Sequence, residues 1–169
     1  AGLPAGFYII TSEPASGDTG YMNWTQVKAL NTQGFEVGSH TRTHPFLTQL
    51  TTAQQTTEIN GSYSDLVAQG ITPKSFVYPY GDESPTVEAA VKAAGYNVAR
   101  GSYTGMNGTV SNRYALYDVR VDTTTSLATI QALVDQAKAD KRWLVLEFHD
   151  VLNGGNTDSV TPAYFQSLI

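Results

Sequence analysis

The amino-acid sequence predicts an α/β fold of parallel strands. Short apolar runs alternate with helical patterns along the whole chain, which is typical of strands joined by crossover helices. Residues that favour helix starts and ends separate the two patterns, so most elements have recognisable limits. The alternation does not decide between an open doubly wound sheet and a (β/α) barrel. In both architectures the active site lies at the carboxyl ends of the strands.

Each predicted element follows from local signals. The predicted strands are residues 6–11, 35–39, 75–78, 97–100, 117–121 and 143–148. The residues that predict helix starts are Asn23 with Gln26, Thr51 or Thr52, Ser84 with Pro85, Ser126, and Thr161 with Pro162. Gly34, Gly70 and Gly95 are expected to end the first three helices. The predicted buried faces contain Trp24, Val27 and Leu30; Ile59, Tyr63, Leu66 and Val67; Val87, Val91 and Ala94; and Leu127, Ile130, Leu133 and Val134.

The composition is that of one folded domain. The chain has 169 residues, of which 41% are hydrophobic, and this is enough to bury a core. Charged residues make up 15% of the chain, below the roughly 25% typical of soluble domains. This balance favours a secreted or cell-surface protein, and we expect it to be a monomer.

Charge and hydropathy argue against two kinds of partner. The net charge is −5, the pI is near 5.0, and the 10 Lys and Arg residues are scattered, so nucleic-acid binding is not expected. The apolar runs at residues 7–10 and 143–146 are too short to span a bilayer, so no membrane partner is expected either. Because the chain has no cysteine, any metal would be held by His, Asp or Glu.

Two histidines lie four residues apart, directly after the predicted strand 35–39. On a helical turn, positions i and i+4 share a face, so His40 and His44 could reach one cation. All three histidines of the chain follow predicted strands. A catalytic zinc with two imidazole ligands would also need a carboxylate and an open position for water. The alternative is a pair of loop or core histidines satisfied by hydrogen bonds.

The third histidine, His149, follows the predicted strand 143–148. An imidazole titrates near neutral pH, so His149 could act as a general acid. Strand alternation would place Glu147 on the same face as His149. The alternative is a strand-end histidine bonded to the backbone.

The run Tyr78-Pro79-Tyr80-Gly81 ends the predicted strand 75–78 with a rigid turn. A backbone N–H presented there could donate to an oxyanion. Taken alone, the run is more often an ordinary structural turn.

Three motifs in this order resemble the NodB-like polysaccharide deacetylases of carbohydrate esterase family four. The first is Ser-His-Thr-x-Thr-His-Pro at residues 39–45. The second is Tyr-Pro-Tyr-Gly at residues 78–81, followed by a helix that ends in Ala-Gly-Tyr. The third is Leu-x-Phe-His-Asp at residues 146–150. Residues 34–38 and Glu58 also fit the family pattern, and the resemblance covers nearly the whole chain.

The resemblance implies an incomplete or distorted (β/α) barrel of parallel strands that binds one divalent metal, commonly zinc. By match of motif, His40 and His44 would be metal ligands, the Tyr80 backbone N–H would hold the oxyanion, and His149 would be the catalytic acid. The implied activity is removal of N- or O-linked acetyl groups from chitin, a peptidoglycan-type glycan or acetylxylan. An acetylated polysaccharide is therefore the expected partner.

The sequence departs from the family pattern at three places. The family's opening block, a strand ending in Asp-Asp, supplies the third metal ligand and the base, and this chain begins after its place. We therefore expect residues 1–169 to be truncated at both ends and to turn over weakly or not at all by themselves. Asp18, Asp82 and Asp150 are the alternative carboxylate ligands. Val77 stands where an arginine is usual, and Glu147 stands where an apolar residue is usual.

These departures leave two alternative functions open. The missing Asp-Asp block and Val77 are also compatible with a catalytically impaired barrel of the same fold that only binds glycans. A different metallohydrolase, such as an amidase that acts on a small substrate, is the other alternative.

Overall fold

The computed structural model, which describes residues 4–169, contains two units of chain that each have their own core. The N-terminal unit consists of Pro4–Gly101 and Asn112–Leu116, and the C-terminal unit consists of Ser102–Ser111 and Tyr117–Ile169. Among residues 4–169, no helix is both long and apolar enough to cross a bilayer.

Parallel strands connected by helices build the N-terminal unit. Its strands occur in the order β1-β2-β3-β4, and each pairs in parallel with its neighbour, for example with Ile9 beside Ser39 and Ser75 beside Val98. The strands are β1 (Gly6–Ile9), β2 (Glu36–Ser39), β3 (Ser75–Val77) and β4 (Val98–Thr104), the last of which continues into the C-terminal unit. The helices are α1 (Trp24–Thr32), α2 (Thr52–Ala68) and α3 (Pro85–Ala93).

The starts of these three helices confirm the sequence signals. Asn23 and Gln26 form a reciprocal capping box at α1, and Thr51 forms one with Gln54 at α2. The Ser84 side chain caps α3. Gly34, Gly70 and Gly95 all have positive φ just beyond the helix ends, as predicted.

Two apolar clusters fill the N-terminal unit. The cluster around β3 contains fully buried aromatic residues and the inner faces of α2 and α3: Leu47, Ile59, Phe76, Tyr78, Val87, Val91, Tyr96 and Ala99. The cluster around β1 and β2 contains Ile9, Val27, Val37, Leu66 and Ile71. The prediction that Val67 is buried was wrong, since its side chain is 45% exposed. The buried stripe of α2 passes through Ser62 and Leu66, and Val67 lies one position beyond it.

The C-terminal unit is smaller and has less regular structure. Its core consists of Val121, Ile130 and Val160 with partly buried apolar neighbours. One parallel pair is β5 (Leu116–Arg120), which begins at the last residue of the N-terminal unit, with β6 (Leu146–Glu147). A second parallel pair is β7 (Asp150–Val151) with β8 (Ser159–Val160). The helices of this unit are α4 (Leu127–Asp140) and α5 (Pro162–Leu168), capped by Ser126 and Thr161 as predicted.

Two predictions in the C-terminal unit were wrong. The apolar run 143–148 was expected to be one strong strand, but only Leu146–Glu147 is assigned to β6. Trp143 instead exchanges two backbone hydrogen bonds of 2.9 Å with Asn107 in an isolated antiparallel bridge, and its side chain is 58% exposed. Leu127 was expected to be buried in α4 but is 45% exposed. Apolar runs alone did not show which backbone partner each residue would find.

Candidate active site

The rings of His40 and His44 meet edge-on at the carboxyl end of β2. Their Nε2 atoms lie 3.0 Å apart and their ring centroids 4.6 Å apart, and both side chains are partly buried. Two nitrogens bound to one tetrahedral zinc at 2.0–2.1 Å each would lie about 3.3 Å apart. The two imidazoles thus already have nearly the spacing that a shared cation requires.

The other ring nitrogen of His40 is anchored. His40 Nδ1 lies 2.7 Å from the Val77 carbonyl oxygen, so the N–H of this ring is at Nδ1 and the Nε2 lone pair faces His44. Metal-binding histidines usually donate their second nitrogen to a carbonyl or carboxylate in this way. The donor chemistry of the pair therefore fits a divalent cation such as zinc.

The loop that carries the pair contains two residues in the left-handed region. Thr41 and His44 have φ of 66° and 61°, which β-branched and bulky residues rarely adopt. Thr41 is fully buried. Its Oγ1 donates to the His40 carbonyl at 2.5 Å and accepts from the His44 amide at 3.0 Å. These hydrogen bonds offset the strain and hold the backbone in the shape that brings the two rings together.

The Glu58 side chain on α2 accepts hydrogen bonds from the same loop. Its Oε2 accepts hydrogen bonds from the amides of Arg42 and Thr43, both at 2.9 Å. Its Oε1 accepts from the Thr43 hydroxyl at 2.8 Å. One carboxylate therefore satisfies two backbone donors between the histidines.

A second carboxylate of α2, Asp65, binds the Arg42 side chain. Arg42 Nε and Nη2 each donate to Asp65 at 2.8 Å, and the Thr11 hydroxyl donates to the same carboxylate at 2.7 Å. The hydrogen bond from Arg42 is the main reason why the pKa of the Asp65 carboxyl is lowered. These contacts connect the histidine loop, residues 40–44, to α2 and to the segment that follows β1.

Tyr80 lies beside the pair in a strained turn. Its φ is 59°, and its ring meets His44 edge-on with centroids 4.6 Å apart. The ring also stacks on Phe46 at 4.0 Å with an interplanar angle of 13°, although both rings are substantially exposed. The amides of Gly81 and Asp82 donate to carbonyls within this turn.

No third ligand is assigned. Among residues 4–169, no group of three His, Asp or Glu side chains has the arrangement to hold a metal. Asp82 accepts the amide and hydroxyl of Thr48, both at 2.7 Å, and Asp18 accepts the Gly20 amide at 2.8 Å. Asp150, the remaining alternative, belongs to β7 of the C-terminal unit.

His149 lies between β6 and β7 in the C-terminal unit, and its side chain is exposed. Glu147 is the last residue of β6 and is partly buried. The predicted role of His149 as an acid remains a prediction, as do the roles of His40, His44 and Tyr80.

Sequence reasoning missed most of the groups that support the pair. The Val77 carbonyl, the Thr41 hydroxyl and the Asp65–Arg42 ion pair were not anticipated. Glu58 was noted only as part of the family pattern. The available signal was the seven-residue spacing of Glu58 and Asp65, which places two carboxylates on one face of α2.

A family comparison identifies the class of protein to which the chain belongs. Residues 1–99 match the model of the family described as polysaccharide deacetylase. This is more than half of the 169 residues, so the chain belongs to the polysaccharide deacetylase family. No curated protein sequence matches the chain.

Solved structures of deacetylases are similar in fold. A Streptococcus pyogenes deacetylase, PplD, in complex with acetate has a TM-score of 0.72 and 22% identity over 77% of this chain and 58% of its own. A polysaccharide deacetylase from Bacillus cereus, BC0361, has a TM-score of 0.67 and 24% identity over 77% of this chain and 42% of its own. The chain thus spans about half the length of these two proteins.

A third similar structure covers more of the chain. The family 4 carbohydrate esterase from Streptomyces lividans, in complex with acetate, has a TM-score of 0.54 and 20% identity over 95% of this chain and 85% of its own. These likenesses confirm the predicted fold class, an α/β fold of parallel strands in an incomplete (β/α) barrel.

Proposed function

We propose that this protein is a metal-dependent hydrolase that removes N- or O-linked acetyl groups from a polysaccharide. The observation that carries the proposal is the pair of His40 and His44 Nε2 atoms, 3.0 Å apart, with His40 Nδ1 anchored on the Val77 carbonyl. Membership of the polysaccharide deacetylase family supports the same activity. Both acetate complexes among the similar structures are consistent with acetyl chemistry in this fold.

His40 and His44 are the proposed ligands of a divalent cation, for which zinc is the favoured candidate because both donors are imidazole nitrogens. When bound, such a cation supplies a Lewis acid and lowers the pKa of water. The role of the chain is to hold the two Nε2 atoms close together, 3.0 Å apart. The Val77 carbonyl contributes by accepting a hydrogen bond from His40 Nδ1, which fixes the orientation of that ring.

Two further residues have proposed roles in acetyl transfer to water. The Tyr80 amide, presented by a left-handed turn beside His44, is the proposed donor to the oxyanion that develops on the acetyl carbonyl. His149 is the proposed acid that protonates the departing nitrogen or oxygen. Its exposed side chain and its place in the Leu-x-Phe-His-Asp motif support this role.

The substrate class is tested by acetate release. The protein at its full natural length is incubated with chitooligosaccharides, a peptidoglycan-type glycan and acetylxylan, with and without a chelator. We expect acetate from at least one glycan, loss of activity after chelation, and recovery when zinc is added back. Activity that chelation leaves untouched would contradict the proposal. Glycan binding without acetate release would favour the catalytically impaired barrel instead.

We also propose a secreted or cell-surface location, supported by the low charged fraction of 15% and by a polymeric substrate. Detection of the protein in the culture medium or on intact cells tests this location, and recovery only from the soluble cell interior would contradict it.

A further inference from the structure

A cleft of about 410 Å³ lies beside the histidine loop, wholly within the N-terminal unit. Ser12 after β1, Trp24 at the start of α1, and Asp65 and Gln69 toward the end of α2 contribute to its wall. Arg42 and Thr43, which separate the two histidines in sequence, complete it. The loop that holds His40 and His44 therefore also forms one side of this cleft. Its volume lies in the range of small-ligand sites.

The guanidinium of Arg42 is held in a fixed position there. It binds Asp65 through two nitrogens at 2.8 Å each, and its side chain crosses α2 at Gly61. A Cβ atom at Gly61 would lie 2.6 Å from Arg42 Cδ, so the absence of a side chain at residue 61 makes this path possible. The ion pair uses two of the five N–H donors of an arginine. The Arg42 side chain is 43% exposed, which leaves its other donors accessible to a ligand.

The lining combines groups that suit a sugar ring. Trp24, which is partly buried against the apolar cluster around β1 and β2, contributes an aromatic side chain to the wall, as the C–H face of a pyranose requires. The carboxamide of Gln69 and the hydroxyl of Ser12 each donate and accept hydrogen bonds, as sugar hydroxyls do. Arg42 and Asp65 neutralise each other, so the cleft has no net charge with which to select an ion. A neutral, hydroxyl-rich ring fits this lining better than an anion or a purely apolar ligand.

We infer that this cleft binds a pyranose unit of the same polymer chain, away from the unit that is deacetylated. The inference rests on the proposed function, because it assumes that the polymer is a glycan. A bound sugar would receive hydrogen bonds from the free donors of Arg42 and from Gln69, and would stack on Trp24. The cleft would then favour long oligosaccharides over short ones.

The first test measures binding without turnover. The tryptophan emission of the protein is titrated with chitopentaose and, in a separate series, with xylopentaose. We expect a saturable change with at least one of them, lost in Trp24→Phe and kept in the matched control Trp143→Phe, whose indole is exposed and lies outside the cleft. A change that persists in Trp24→Phe would overturn the inference.

The second test uses two helix-ending glutamines as a matched pair. Gln69 is the C-cap of α2 and lines the cleft, whereas Gln33 is the C-cap of α1 and does not. We expect Gln69→Ala to raise KM for acetylated pentasaccharides about fivefold, with little change for disaccharides, because one or two hydrogen bonds to a distant unit are lost. Gln33→Ala should leave both values unchanged.

The two tests separate this inference from the proposed function. If acetate is released and both glutamine variants have equal KM values, the inference that the cleft binds a sugar is wrong and the deacetylase proposal is unaffected. Saturable Trp24-dependent binding without acetate release would support the cleft as a glycan site and contradict the deacetylase proposal.

Discussion

Glu58 and Thr43 share two hydrogen bonds that use both oxygens of one carboxylate. The Thr43 amide donates to Oε2 at 2.9 Å, and the Thr43 hydroxyl donates to Oε1 at 2.8 Å. Because the Arg42 amide also donates to Oε2, the backbone between the two histidines is bound to α2 at consecutive residues. The position of the candidate metal pair thus depends on a side chain that lies 14 residues beyond His44 in the sequence.

We predict that Glu58→Gln weakens zinc binding about tenfold, in line with the effect of supporting groups in other metal sites. The amide side chain keeps the volume of Glu58 but turns one acceptor into a donor, so it cannot satisfy all three donors of the loop. Competition with a chromophoric chelator measures the zinc Kd. Glu88→Gln is the matched control, because Glu88 binds Asn112 and makes no bond to the histidine loop. Equal zinc Kd values in the two variants would contradict the role of Glu58 in holding the loop between His40 and His44.

His40→Ala and His44→Ala are each expected to abolish stable zinc retention, because one imidazole alone cannot hold the cation against dialysis. His149→Ala should keep zinc and lower the rate of acetate release at least about 100-fold, as expected when a general acid is removed. Metal analysis after gel filtration and a steady-state acetate assay give the two readings. Loss of zinc in His149→Ala would show that this residue is a ligand and not an acid.

The sequence predicted those parts of the fold that local chemistry determines. Asn23, Ser84 and Ser126 cap helices as expected because each side chain accepts a hydrogen bond from the amide three residues ahead. The closeness of His40 and His44 was also predicted, although the reason differs. The proposed helical turn is absent, and the rings meet because Thr41 and His44 adopt positive φ.

The remaining parts depend on partners that are distant in sequence. The Val77 carbonyl is 37 residues from His40, and Asp65 is 23 residues from Arg42. Neither pairing follows from periodicity, because both require the packing of β3 and α2 against β2. The failure of the predicted strand 143–148 has the same cause, since Trp143 bonds to Asn107 across a separation that no local pattern reveals.

Thr41 provides a matched pair of substitutions. In Thr41→Val the shape is kept but the hydroxyl is lost, which leaves the partly buried amide of His44 without its acceptor. We expect a loss of about 1–3 kcal/mol in the free energy of unfolding and weaker zinc binding. Thr41→Ser keeps the hydroxyl and should stay within about 1 kcal/mol of the native protein. Urea unfolding of both variants checks the order, and equal stability would show that the hydroxyl is dispensable.

Glu83, between the Tyr80 turn and α3, is expected to make stability depend on pH. Burial raises the pKa of the Glu83 carboxyl from 4.5 to about 7, and the charge of Glu88 is the second cause. Within residues 4–169, Glu83 Oε2 is buried and has no hydrogen-bond partner. The folded state therefore favours the protonated acid, so its contribution to stability is complete below about pH 4.5 and is lost as the pH rises through about 7. The glutamine in Glu83→Gln stays neutral, so the Tm of this variant relative to that of the native protein should rise between pH 5 and pH 8. Glu88→Gln removes one of the two causes that raise the Glu83 pKa, so the loss should be smaller and should end at a lower pH. A Tm difference between Glu83→Gln and the native protein that stays constant over this range would show that Glu83 titrates as an ordinary solvated carboxyl.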